Sequence, residues 1–81
     1  MNRDDVMELV RTHLAAELEI SPDRIQEETR FKDDLDADSL DLQVLVMELQ
    51  DEYGIVISEQ EGTTIKNVKD AVDFVLAKTG A

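Results

Sequence analysis

Residues 39–53, Ser39-Leu40-Asp41-Leu42-Gln43-Val44-Leu45-Val46-Met47-Glu48-Leu49-Gln50-Asp51-Glu52-Tyr53, decide the fold. At about 100° per residue, Leu42, Leu45, Val46, Leu49 and Tyr53 fall in one sector, which predicts a helix with that sector turned to a core. Gly54 is a natural stop. Nearly opposite lie Asp41, Val44, Met47, Glu48 and Asp51, an outer face with two apolar side chains set among three acids.

Upstream, a helix from Asn2 or Arg3 to about Leu18 carries Val6, Val10, Leu14 and Leu18 on one stripe, with Asp4, Asp5 and Glu8 near its start, where the helix dipole favours acids. Ser21-Pro22-Asp23 breaks the pattern. Residues 19–38 then form a long connection anchored by Ile20, Ile25, Phe31 and Leu35, with room for a short helical turn. Downstream, Ile55-Val56-Ile57 has no second strand to pair with and reads as an extended connection under the core. Residues 58–65 allow one helical turn, weakened by Gly62, Thr63 and Thr64. A last helix runs from about Asn67 to Lys78, with Val68, Ala71, Val72, Val75 and Leu76 inward. The expectation is an all-α fold: one domain over residues 1–81, a small four-helix bundle with three main helices, one short helix and a long first loop.

Composition bounds the function. In 81 residues, 20 acids against 8 Lys and Arg give a net charge of −12, which repels nucleic acid and anionic membranes and favours basic partners. No apolar run is long enough to span a membrane, and the first residues have no signal-peptide character. A soluble, cytoplasmic monomer is expected. With no cysteine there is no thiolate metal site and no cysteine nucleophile. The charge is uneven: between Asp33 and Ile65 there are ten acids and no basic residue. Crowded carboxylates such as Asp34, Asp36, Asp38 and Asp41 are expected to repel and to raise one another's pKa values.

Asp34-x-Asp36-x-Asp38 suggests a calcium loop, but an EF-hand needs Gly at its sixth position and Glu at its twelfth; here these are Ser39 and Leu45. Paired carboxylates are too numerous to mark a catalytic pair, and no metal site or catalytic residue is assigned. His13, at the edge of the first apolar stripe, reads as a structural histidine. Ser39 stands where the long loop enters the strongest helix, beside unpaired backbone N–H groups. The residues alone leave two roles open: a helix cap shared with Asp38, or the bearer of a phosphate ester.

The stretch Phe31-Lys32-Asp33-Asp34-Leu35-Asp36-Ala37-Asp38-Ser39-Leu40-Asp41 resembles the prosthetic-group attachment region of acyl carrier proteins, and the helix that follows resembles their second helix. The resemblance spans nearly the whole chain. It implies a carrier, not an enzyme: Ser39 would be esterified by 4′-phosphopantetheine, transferred from coenzyme A by a phosphopantetheinyl transferase, with Asp38 and Leu40 flanking it. Acyl groups would ride as thioesters on the terminal thiol. Asp41, Val44, Met47, Glu48 and Asp51 would form the surface met by acyl-transferring enzymes and by fatty-acid or polyketide synthase enzymes with basic docking patches. Phe31, Val46, Leu49, Ile57, Ile65, Ala71 and Phe74 would line the acyl pocket.

The chain departs from the family pattern at three places. Asp36 stands where Gly is usual, Val44 where an acid is common, and Gly62-Thr63-Thr64 replaces a stretch usually richer in helix formers. Asp38 before the serine favours the acyl type over the peptidyl type. The implied role is delivery to fatty acid biosynthesis. The alternatives are a carrier for a specialised polyketide or other lipid pathway, and an acidic interaction or divalent-ion-binding domain that is never pantetheinylated.

Overall fold

The computed structural model describes residues 2–80. Helix α1 is Arg3–Leu18, α2 is Ser39–Tyr53, α3 is Glu59–Thr63 and α4 is Val68–Thr79, with a single 3₁₀ turn at Pro22–Arg24 in the first loop. The four-helix expectation holds: the three main helices start and end within a residue of the sequence reading, while the short one, expected over 58–65, ends two residues earlier. Each helix starts on a side-chain cap, as the unpaired N–H groups of a first turn require: Asn2 for α1, Asp38 for α2, Ser58 for α3 and Asn67 for α4. α2 ends on Gly54 at φ 63°, a left-handed conformation that glycine adopts without a side-chain penalty.

α1 packs most extensively on α4, and α2 lies against both. Val6, Val10 and Leu14 meet Val68, Ala71, Val72 and Val75 in the core, and Leu45 and Leu49 enter from α2. The first loop adds Ile25, Phe31 and Leu35. Burying one such side chain is worth roughly 1.5–3 kcal/mol, so these loop anchors hold a segment with little regular structure. Of the Ile55-Val56-Ile57 connection, Ile57 is buried and Ile55 half-buried, but Val56 is 76 % exposed. Only part of that run lies under the core. The Gln50 side-chain carbonyl accepts the Ile57 N–H at 2.8 Å and fixes the turn.

The first loop is also stapled to α4 by its backbone. Arg30 and Asn67 form an antiparallel bridge. The N–H of Phe31 donates to the Lys66 carbonyl, that of Val68 to Thr29, and that of Lys69 to Glu27, at 2.9–3.1 Å. Arg3 pairs with both Glu27 and Asp73, joining α1, the loop and α4. This clamp brings the loop's aromatic anchor beside the connection from α3 to α4.

Candidate functional site

Ser39 is positioned by a reciprocal cap. The Asp38 carboxylate accepts the Asp41 N–H at 3.0 Å, and the Asp41 carboxylate accepts the Asp38 N–H at 3.1 Å. The serine is the first residue of α2 and is exposed, and no hydrogen bond of its hydroxyl is found among the described residues. The capping role that sequence left open therefore falls to Asp38.

The loop before it closes in a tight turn. The N–H groups of Asp34 and Leu35 donate to the Arg30 carbonyl, Asp36 to Lys32, and Ala37 to Phe31. Asp36, which stands where Gly is usual, sits at φ 55°, in the left-handed region. The expected mutual repulsion is offset at Asp34. The Arg30 guanidinium and backbone N–H hold its carboxyl below the usual range, the opposite direction to the one expected from crowding. Asp33 also pairs with Arg30, at 3.4 Å. Among the described residues no group of three His, Cys, Asp or Glu side chains is arranged to hold a metal ion.

A cleft of about 820 Å³ opens beside Ser39, between α2, α3 and the first loop. Of the seven side chains expected to line an acyl pocket, Phe31, Val46, Ile57 and Ile65 line it. Leu49, Ala71 and Phe74 do not: Leu49 and Ala71 are buried in the core, to which Phe31, Ile57 and Ile65 also belong, and Phe74 is half-buried on α4 with the Lys78 ammonium 5.3 Å from its ring centre. The walls that sequence did not single out for this role include Leu42 and Gln43 on α2, Gly62 and Thr63 on α3, and Lys32 and Lys66. Leu42 could have been read from its place on the inward sector. The others left no signal beyond the weak helix of residues 62–64.

The α2 face opposite the core carries Val44 at 40 % and Met47 at 60 % exposure, with Leu40 at 69 % one turn before them. Glu48 and Asp51 are exposed around them, and Asp41 is half-buried. Met47 also borders the cleft. Short α3 is held by two contacts of Glu61, which accepts the Ser58 N–H as part of a cap and pairs with Lys78 of α4 at 2.9 Å. Lys78 first and the Ser58 N–H second hold the Glu61 carboxyl below the usual range. His13 is half-buried on α1, and its Nε2 is buried with no partner among the described residues.

The serine hydroxyl is thus exposed at a helix start and opens onto a part-apolar cleft. Residues 8–75 match the family described as the phosphopantetheine attachment site. The chain is 37 % identical over 81 residues to the acyl carrier protein of Thermosynechococcus vestitus, with both chains covered in full. It is 36 % identical over 80 residues to that of Lactobacillus acidophilus, covering 99 % of this chain and 100 % of the relative. A solved structure of the acyl carrier protein from Enterococcus faecalis superposes with a TM-score of 0.82 at 33 % identity, covering 96 % of this chain and 99 % of that one.

The chain therefore belongs to the acyl carrier proteins. It carries acyl groups on phosphopantetheine, and its relatives are carriers rather than catalysts. Discrete members of the family typically serve fatty acid synthesis. No helix among the described residues is long and apolar enough to cross a membrane.

Proposed function

We propose that Ser39 is the attachment residue and that the whole 81-residue chain is one cytoplasmic, monomeric carrier domain delivering thioester-bound acyl groups to fatty-acid enzymes. The observation that supports Ser39 is its exposed hydroxyl, without a hydrogen bond among the described residues, at the start of α2 on the rim of the cleft. The residues fit the group: Asp38 and Asp41 fix the serine's backbone, and Phe31, Val46, Ile57 and Ile65 offer an apolar floor to a chain hung from it. When bound, phosphopantetheine supplies the thiol that forms the thioester. The protein's own part is to present the tether, shelter the chain and be recognised.

Recognition falls to α2. Asp41, Glu48 and Asp51 steer basic docking patches, including that of the phosphopantetheinyl transferase, and Val44 and Met47 give the contact an apolar centre. Val44 also favours a second reading, service to a specialised lipid or polyketide pathway, because it makes this stripe less acidic than the family pattern. Intact-mass measurement of the protein from its native cell tests both readings. A phosphopantetheine-sized increment on Ser39 is expected, and the acyl group found on it names the pathway. Native protein without the increment would contradict the proposal.

A further inference from the structure

We propose, resting on Ser39 as the bearer of phosphopantetheine, that Lys32 and Lys66 form a cationic rim that holds the phosphodiester of that arm at the mouth of the cleft. These two lysines are the residues that immediately bracket the run from Asp33 to Ile65, whose charged side chains are all acids. The fold closes that bracket: Phe31 donates its N–H to the Lys66 carbonyl at 3.1 Å, so the two lysine-bearing segments run side by side. Both lysines line the cleft that Ser39 also lines. Both are exposed, and neither side chain forms an ion pair or hydrogen bond among the described residues.

The other lining charges are accounted for differently. Arg30 is engaged by Asp33 and Asp34, which leaves Asp33 partnered as well. Glu59, on α3, is the one acid of the lining without an ion pair among the described residues. The rim therefore has two ammonium groups unpaired among the described residues, on a molecule whose net charge is −12.

An ammonium on a four-carbon stem is a mobile point charge with three donors, suited to a phosphate oxygen at an adjustable distance. The phosphodiester is a permanent anion tethered by one ester bond to Ser39, so it meets the rim at a high effective concentration. Elsewhere the acidic surface repels it. The rim offsets that repulsion at one place and draws the arm across the cleft mouth, which directs its thiol end and acyl chain toward the apolar floor.

The test uses the full chain labelled with ¹³C and ¹⁵N, converted from apo to holo with coenzyme A, Mg²⁺ and a promiscuous transferase, with conversion checked by intact mass. On conversion the Cε signals of Lys32 and Lys66 should move while those of Lys69 and Lys78 stay. The ³¹P resonance of the holo protein should differ between wild type and K32Q/K66Q, and the difference should collapse in high salt. Circular dichroism should show equal helix content in both. Lysine signals that respond alike, or a ³¹P resonance indifferent to the double substitution, would overturn the proposal. So would a lysine-dependent response seen only when the arm bears an ω-carboxyacyl chain and absent from the free-thiol and hexanoyl forms, which would assign the rim to the cargo. Failure to gain the mass increment would instead remove the carrier reading beneath it.

Discussion

Asp38 and Asp41 each accept the other's backbone N–H, at 3.0 and 3.1 Å, and Ser39 lies between them in sequence. This reciprocal cap satisfies two N–H groups at the entrance of α2 while leaving the serine hydroxyl outside the arrangement. Asp38→Ala should cost about 1 kcal/mol of stability, within the roughly 0.5–2 kcal/mol range of lost caps. Asp38→Asn should retain most of it. Urea unfolding of the three proteins measures this, and equal midpoints would show that the cap adds nothing.

Among the described residues, two other than glycine hold left-handed backbone, Glu19 at φ 55° and Asp36 at φ 55°. Glu19 closes α1, where its own N–H and that of Ile20 both reach the Ala15 carbonyl. Aspartate tolerates this region better than glutamate does. Glu19→Gly should therefore raise stability, by up to about 1 kcal/mol, and by more than Asp36→Gly does. Asp36→Val should destabilise, since a β-branched residue is poorly suited to this conformation. Thermal melts of the three variants rank them, and a reversed order of the glycine substitutions would contradict the strain account.

The depressed carboxyls of Asp34 and Glu61 set the sign of the acid response. Their folded pKa values lie below the unfolded ones, so between the two the unfolded chain binds more protons. The stability they contribute is present above the unfolded values, near pH 4, and is lost as pH falls through the folded values. Lys78→Gln should flatten the Glu61 part of that loss. Melting temperatures from pH 6 to pH 3 test it. An unchanged slope in Lys78→Gln would show that the pair with Glu61 does not form in solution.

The exposed acids of α2 make a kinetic prediction. Charge reversal at Glu48 or Asp51 should chiefly slow association with the transferase, and the defect should shrink in high salt. Val44→Glu should improve use by a general fatty-acid synthase if the protein serves a specialised pathway. Association rates that ignore both reversals would reduce this face to solvated surface.

Most of the fold was legible because its signals are local. The stripes of α1 and α2, the breaker at Ser21-Pro22-Asp23 and the stop at Gly54 each act within a few residues. The pocket was less so. Periodicity tells which side of a helix is apolar, but not whether Leu49, Ala71 or Phe74 meets the core or the cleft, which depends on how the clamp at Arg30 and Asn67 sets the loop against α4. The charge reading missed Arg30 for a similar reason. Its pairs with Asp33 and Asp34 are near in sequence, but they need the turn that 30–36 forms, and that segment reads as loop.

The central claim is that one serine carries the arm. Incubating the apo protein with coenzyme A, Mg²⁺ and a promiscuous phosphopantetheinyl transferase, then measuring intact mass and mapping the modified peptide, tests it most directly. A single phosphopantetheine on Ser39 is expected, lost in Ser39→Ala with helix content unchanged. Addition at Ser21 or Ser58, or none to the wild-type chain, would contradict it.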